Sequence, residues 1–388
     1  MAKMIVVGLD IGTSAIRLVV GETFQEDKPP QILAQVKKES RGLRRGYIVN
    51  FEETLNNLKS ALREAERQAK TRIKSAVLGI GGITLEAKNG EGQVAVSRAD
   101  LEITENEIQR VIEASESNLT NFQNRSIIHT IPLSFKLDGQ PVPGQPLGMT
   151  GNKLEVKTLF IHCLTQHLND LVRVTNQVGL IVEDVVASPL AASIPTLTVT
   201  QKMAGCVLVN IGSQTTSLVV FENDVPISLQ ILPLGSNDVT NDIAIGLRIP
   251  LEEAEAIKLS GNETSTLRKK LDEIIEARLS DIFELIESHL KKIGRSGLLP
   301  AGAVIVGGGS NIPNLEKLAK HALRLPVKVF DPATVPRLKN QLRDAGWAVA
   351  YGLCLFGLGE VSEEPFGPNK IIRTTTNLFW RWLRGFWP

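Results

Sequence analysis

Cysteine is scarce in this chain: Cys163, Cys206 and Cys354 are the only three in 388 residues, odd in number and without metal-ligand spacing. That excludes a disulfide framework and a thiolate metal centre, and it predicts reduced core cysteines in a cytosolic protein. An excess of charge of one sign is also missing. With 43 basic and 42 acidic residues the formal net charge is +1, which argues against a nucleic-acid footprint. No apolar run reaches the about 18 residues that a membrane-spanning helix needs. The longest, Trp347 to Leu358, is shorter and carries glycines. One early lysine followed by an apolar run that meets Asp10 is not the pattern of a secretory signal. What is present is ordinary core-forming material, 43% hydrophobic, in a chain too long for one core.

The most informative positive feature is an internal echo. Residues 8–22 read GLDIGTSAIRLVVGE and residues 208–222 read LVNIGSQTTSLVVFE, with Ile11/Ile211, Gly12/Gly212, Leu18/Leu218, Val19/Val219, Val20/Val220 and Glu22/Glu222 identical at an offset of 200. Each stretch is a β-branched run, a turn of small residues and a second apolar run, the pattern of a β-hairpin. Two such hairpins so far apart predict two related domains that face each other.

Between them, Phe51, Leu55, Leu58, Leu62 and Ala65 recur at helical spacing, predicting a helix over 51–69, and Ala76–Gly82 reads as a buried strand ending in glycines. Residues 84–164 read as a separate unit. It has a helix near 104–119 opened by a Thr104/Glu107 capping box, and strands at 127–137 and 154–163 around a Pro/Gly-rich loop. After the second hairpin the spacing predicts helices at 237–247, 251–259 and about 267–293. A strand then leads from Ala303 into Gly307-Gly308-Gly309.

A glycine-plus-hydroxyl turn exposes backbone N–H groups that can cradle an anion. Two of them and a glycine run describe a phosphate tail clamped from both sides, with a nucleoside against backbone that carries no side chains. Asp10, at the mouth of the first turn, is placed to hold Mg²⁺ through waters; the alternative is a turn-capping aspartate. Arg17 is a candidate to neutralise phosphate charge.

These hairpins, with VIVGGGSNIPNLEKLA at 304–319, resemble the phosphate and adenosine motifs of the actin, Hsp70 and sugar-kinase superfamily. Within it, GLDIGTSAIRLVVGE, PLGMTGNKLEVK at 146–157, VTNDIAIGLRIPLEEAEAIK at 239–258 and an amphipathic C-terminal tail resemble the cell-division family FtsA. The resemblance implies an α/β, actin-like (ribonuclease H-like) two-domain ATPase fold with an inserted SHS2-type subdomain and a C-terminal amphipathic helix. In that scheme 1–83, continued at 165–189 and 346–360, is subdomain 1A, and 84–164 is the inserted subdomain 1C. Residues 190–237 and 300–345 are 2A, 238–299 is 2B, 361–376 a linker and 377–388 the tail. It further implies ATP and Mg²⁺ as ligands. Asp10, Gly12, Thr13, Ser14 and Arg17 form the first phosphate loop, Asn210, Gly212, Ser213, Gln214 and Thr215 the second. Glu255, Lys258, Gly307, Gly308 and Gly309 meet the adenosine. For Glu255 and Lys258 the residues alone allow a surface ion pair.

The expected activity is weak or absent hydrolysis. The second phosphate motif of the superfamily opens with an acid and pairs its glycines, whereas here stand Asn210, Ser213 and Gln214, with Ser217 where an acid often follows. The segment after Gly261 is also shorter than in FtsA. Expected partners are other copies in filaments, anionic lipids, the FtsZ C-terminal tail at Lys291, Lys292 and Arg295, and later division proteins through 84–164, but no nucleic acid. The place of action is the cytoplasmic face of the membrane at the division site. A helix-dipole role for the three basic residues reads equally well. PilM of type IV pilus assembly is the second reading, and a sugar kinase the third.

The tail itself reads LFWRWLRGFWP at 378–388 and holds three of the four tryptophans. On a helix Leu378, Phe379, Trp380, Trp382, Leu383, Phe386 and Trp387 share a broad apolar arc, with Arg381 and Arg384 in the remaining sector. That predicts an interfacial helix on an anionic leaflet.

Overall fold

The computed structural model describes residues 4–23, 31–260, 265–334, 342 and 344–358. The chain opens with a meander of Met4–Ile11 (β1), Ala15–Thr23 (β2) and Gln31–Glu39 (β3), then a small hairpin of Leu43–Arg44 (β4) and Tyr47–Ile48 (β5). Helix Phe51–Ala69 (α1) follows and leads to Ser75–Ile80 (β6). The sequence expectation of 51–69 for α1 is met because both ends carry local signals. The Asn50 side chain accepts from Glu53 N at 3.2 Å, Glu52 and Glu53 favour the positive helix start, and Lys70 closes the helix in the left-handed region.

Residues 84–164 form a unit with its own core. It comprises Glu86–Ala95 (β7), Glu105–Ser117 (α2), Arg125–Leu137 (β8), Gln140–Val142 (β9) and Lys153–Leu164 (β10). The strands pair in the order β7-β10-β8-β9. Ile108, Val111 and Ile112 of α2 bury against Phe135, Leu154 and Val156. Strand β7 escaped the sequence reading because its KNGEG core looks like a turn. A Cβ on Gly92 would fall 2.4 Å from Val111 O, so the glycine lets α2 lie directly on the strand.

The chain then adds Thr165–Gln177 (α3), Ile181–Ala187 (β11), Ser188–Thr196 (α4) and Val199–Ala204 (α5). The second domain runs Cys206–Ile211 (β12), Thr216–Glu222 (β13), Val225–Leu232 (β14), Ser236–Leu247 (α6), Leu251–Ser260 (α7), Ser265–Lys292 (α8), Ala303–Val306 (β15), Leu315–Leu323 (α9) and Val327–Val329 (β16). Helix Ala348–Leu358 (α10) ends the described fold.

The sequence echo is a duplicated sheet. The first sheet is ordered β3-β2-β1-β6-β11 and the second β14-β13-β12-β15-β16. In each, three antiparallel strands are continued by two parallel ones. β1 and β12 are central and read as continuous apolar runs because both their faces are covered. The apolar run Trp347–Leu358, too short to span a membrane, is core instead. Its helix α10 returns to the first sheet and packs on α4 so closely that a Cβ on Gly352 would sit 1.8 Å from Ala191 O. All three cysteines are buried and free. The predicted linker and tail, 361–388, and the shortened segment after Gly261 lie outside the described residues.

Candidate functional site

The two sheets bring their hairpin turns face to face across a cleft of about 390 Å³. The turns are built alike: Gly12 N donates to Ala15 O at 3.1 Å and Gly212 N to Thr215 O at 2.9 Å. A Cβ at either glycine would lie 2.9 Å from that same carbonyl oxygen. Asp10, Gly12, Thr13, Ser14 and Arg17 line one wall, and Asn210, Gly212, Ser213, Thr215 and Ser217 the other. Gly307, Gly308 and Glu255 complete it.

Strand register sets the charges. Asp10 stands opposite Arg17 in the β1–β2 ladder, and Asn210 stands opposite Ser217 at the matching place in β12–β13. The duplicated positions thus carry an ionisable pair on one side and a neutral pair on the other. Desolvation raises the Asp10 carboxyl above the ordinary carboxylate range, and the Arg17 guanidinium partly opposes this. Arg17 Nε is buried with no hydrogen-bond partner among the described residues. A buried unpaired donor of this kind costs free energy unless a ligand meets it.

The glycine wall is specific. Gly307 sits at φ 95°, and a Cβ there would fall 2.3 Å from Asn210 Oδ1 and 2.4 Å from Ile211 O. A Cβ on Gly308 would meet nothing within 4 Å. Gly309 is buried against Ile211 and does not line the cleft.

Two of the expected residues turn elsewhere. Lys258 is 3% exposed and bonds Glu255 Oε2 at 2.6 Å, Thr240 Oγ1 at 2.8 Å and Ser236 O at 3.3 Å, so it positions Glu255 rather than lining the cleft. The ion pair foreseen for Glu255 and Lys258 is real, but it is buried at its lysine end. Gln214 reaches over to the other domain, where its Oε1 accepts from Arg45 N at 2.8 Å. The next residue, Gly46, donates its N–H to Thr13 Oγ1 at 2.9 Å. Arg45-Gly46 is therefore a strap bonded to both phosphate-type loops. It is tied behind by His167, whose Nε2 donates to Gly46 O at 3.0 Å while Nδ1 accepts from Thr84 Oγ1 at 2.5 Å.

Sequence reasoning missed Lys37, Asp344, Ser236, Asn237 and Asn311, all of which line the cleft. Lys37 stands beside Arg17 in the β2–β3 ladder, and no motif announces it. Asp344 caps the turn before α10 by accepting from Gly346 N at 2.7 Å. Away from the cleft, Arg295 is held by Glu222 at 2.6 Å, whereas Lys291 is 61% exposed and Lys292 exposed. The aromatic tail is outside the described residues. Among the described residues no group of three or more His, Cys, Asp or Glu is clustered as a metal site.

A family model described as "Cell division protein FtsA" matches residues 207–352, and one described as "SHS2 domain inserted in FTSA" matches 82–162. The cell division protein FtsA of Pseudomonas aeruginosa is 32% identical over 93% of this chain and 91% of its own. The chain belongs to the FtsA family. FtsA of Bacillus subtilis is 31% identical, over 90% of this chain and 82% of the relative. This is therefore a cell-division protein with an actin-like fold and an SHS2 insertion. In structure it is similar to a chain of a PilM-PilN type IV pilus biogenesis complex, with a TM-score of 0.69, 21% identity and coverage of 93% and 99%. It is also similar to MreB5 of Spiroplasma citri bound to ADP, with a TM-score of 0.52, 14% identity and coverage of 91% and 95%. Both likenesses concern the fold alone, so PilM-type function gains nothing from them, while relatives from Pseudomonas aeruginosa, Borreliella burgdorferi and Bacillus subtilis at 32%, 30% and 31% identity are FtsA proteins.

Proposed function

We propose that this FtsA-family chain binds ATP with Mg²⁺ in the cleft, assembles into filaments in its nucleotide-bound form, and tethers FtsZ filaments to the inner face of the cytoplasmic membrane. The observation that carries the nucleotide is the paired glycine turns facing one another beside a side-chain-free wall at Gly307-Gly308. The residues fit a polyphosphate. Backbone N–H groups of both turns would hold its oxygens, and the unpaired Arg17 Nε and nearby Lys37 supply positive charge. Asp10 fits one divalent cation held mainly by waters and phosphate. Bound there, the cation would neutralise phosphate charge. A structural relative is described as bound to ADP.

The same cleft is poor at hydrolysis. Efficient attack by water is favoured by a carboxylate that can help hold the cation and take the water's proton, which an amide cannot do. Of the three carboxylates lining the cleft, Asp10 is the proposed cation contact, Glu255 is occupied by Lys258 and Thr240, and Asp344 by Gly346 N. Asn210 holds the place that an acid takes in other superfamily members. ATP then acts as a ligand that favours the closed arrangement of the two domains.

The filament and recruitment roles fall to the 84–164 unit, which has its own core and no residue in the cleft. The exposed Lys291 and Lys292 are the proposed FtsZ-tail contact; Arg295, engaged by Glu222, belongs to the fold. The tail at 378–388 is the proposed membrane anchor, too short to span and rich in interfacial tryptophan.

Gly308→Arg tests the nucleotide reading. The new side chain starts in open space at the cleft wall, so the fold should hold while ATP affinity falls at least about a hundredfold, a loss of about 2.7 kcal/mol. Calorimetry giving wild-type affinity would refute the site.

A further inference from the structure

Helix α1 carries a stripe of cations that the cleft does not use. Lys59, Arg63, Arg67 and Lys70 follow one another at intervals of four, four and three residues, which places them on one helix face. Arg63, Arg67 and Lys70 are exposed, and so are Arg72 and Lys74 in the turn beyond. The other face, with Leu55, Leu58, Leu62 and Ala65, is buried. Lys59, Arg63, Lys70 and Arg72 line a single shallow hollow next to the Gly179 turn.

Few acids balance them. Glu64 is engaged by Arg67 at 2.5 Å, and Glu66 Oε1 accepts from Ile73 N at 3.0 Å, where it closes the end of the helix. Lys59, Arg63, Lys70, Arg72 and Lys74 make no ion pair among the described residues. In a chain of net charge +1, this is a segregated cationic surface.

Its position is informative. Cβ atoms on Gly357 would touch Val6 of β1 and Val77 of β6, so α10 finishes at the end of the first sheet where those strands begin. Lys70 ends α1 at that same end, and Arg72 and Lys74 run directly into Ser75, the first residue of β6. The phosphate-type loop at Gly12 follows the opposite end of β1. The described fold therefore ends, at Leu358, at the same end of the first sheet as Lys70 and at the opposite end from the cleft. Residues 359–388 carry Lys370, Arg373, Arg381 and Arg384, with no acid after Glu364.

We infer that the stripe from Lys59 to Lys74 is a second membrane contact, which lies on anionic phospholipid headgroups once the tail has inserted. The inference rests on the reading of 378–388 as a membrane anchor. A single short amphipathic segment holds a protein only marginally, and stable attachment takes a second signal. Each lysine or arginine brought within a Debye length of an anionic leaflet adds about fivefold to partitioning. Exposed, unpaired side chains give up little hydration or internal pairing in that contact. Two contacts at one end of the domain also fix its orientation, with the cleft and the second domain's turns held off the lipid.

The test is partitioning of the full chain onto vesicles of phosphatidylcholine with about 30 mol% phosphatidylglycerol, and onto phosphatidylcholine alone. The combined variant Lys59→Glu, Arg63→Glu, Lys70→Glu, Arg72→Glu should lose at least about tenfold on anionic vesicles and nothing on neutral ones. The milder Gln quartet, checked for wild-type melting, should fall between. Trp380→Glu should lose binding on both vesicle types. Wild-type partitioning of both quartets while Trp380→Glu loses binding would overturn the stripe and leave the anchor standing. Trp380→Glu binding as wild type would overturn the anchor and, with it, the inference that the stripe is a second contact. A quartet that partitions normally but no longer binds an acidic peptide would make the stripe a protein-docking face, and the inference would be wrong.

Discussion

Replacing Gln214 by alanine removes a hydrogen bond that crosses the cleft, and its consequence can be worked through. Gln214 Oε1 accepts from Arg45 N at 2.8 Å, and Arg45 is exposed, so water can take over the donor when the cleft opens. A bond in that setting is worth about 0.5–1 kcal/mol rather than the larger cost of orphaning a buried group. The closed-to-open ratio of the two domains should then fall about two- to fivefold. The strap itself stays in place, because Gly46 remains bonded to Thr13 and His167, and Arg45 O still accepts from Ile83 N at 3.1 Å. The effect is therefore confined to closure. Apparent ATP affinity should drop by at most the same factor, with the melting temperature unchanged. Gln214→Glu, which keeps the acceptor, should stay near wild type. The readouts are single-molecule energy transfer between dyes on the two domains, and calorimetry. Wild-type closed fraction and affinity in Gln214→Ala would refute the latch, and a melting temperature lowered by several degrees would show that the residue supports the fold instead.

Three further outcomes are expected. Gly352→Ala should cost about 3 kcal/mol or more, because the new methyl would meet Ala191 O at 1.8 Å between two packed helices; urea unfolding measures it. Three buried histidines and the half-buried His289 are held neutral, His129 with its pKa pushed down to about 3 and His162, His167 and His289 to about 4, with desolvation the leading cause in each. Unfolded, they take up protons near pH 6.5, so their contribution is complete above that pH and is lost progressively as pH falls toward 4. Urea midpoints should decline across that window, and a flat profile would count against the assignment. Asn210→Asp restores an acid opposite Ser217 and should raise steady-state ATP turnover, whereas Asn210→Ala should not; a phosphate-release assay decides.

Much of the site was legible because its signals are local. A glycine-hydroxyl turn between two apolar runs makes the same anion cradle wherever it is placed, and its repetition 200 residues on foretold a duplicated sheet. The helix at 51–69 was readable from apolar spacing, and the structure adds its Asn50 cap. Tertiary structure decided what local pattern does not encode. Strand register put Lys37 beside Arg17 and set Asn210 opposite Ser217 as the neutral counterpart of Asp10 opposite Arg17. The packing of α6 against α7 turned Lys258 inward onto Thr240 and Glu255, where helical spacing alone allowed a surface pair. The approach of the two domains gave Gln214 a partner 169 residues away. Glycines hid β7, since what they provide is room for α2, and that requirement exists only once the helix is in place. Propensity and periodicity act over a few residues, whereas register, burial and domain contact depend on pairs far apart in the chain.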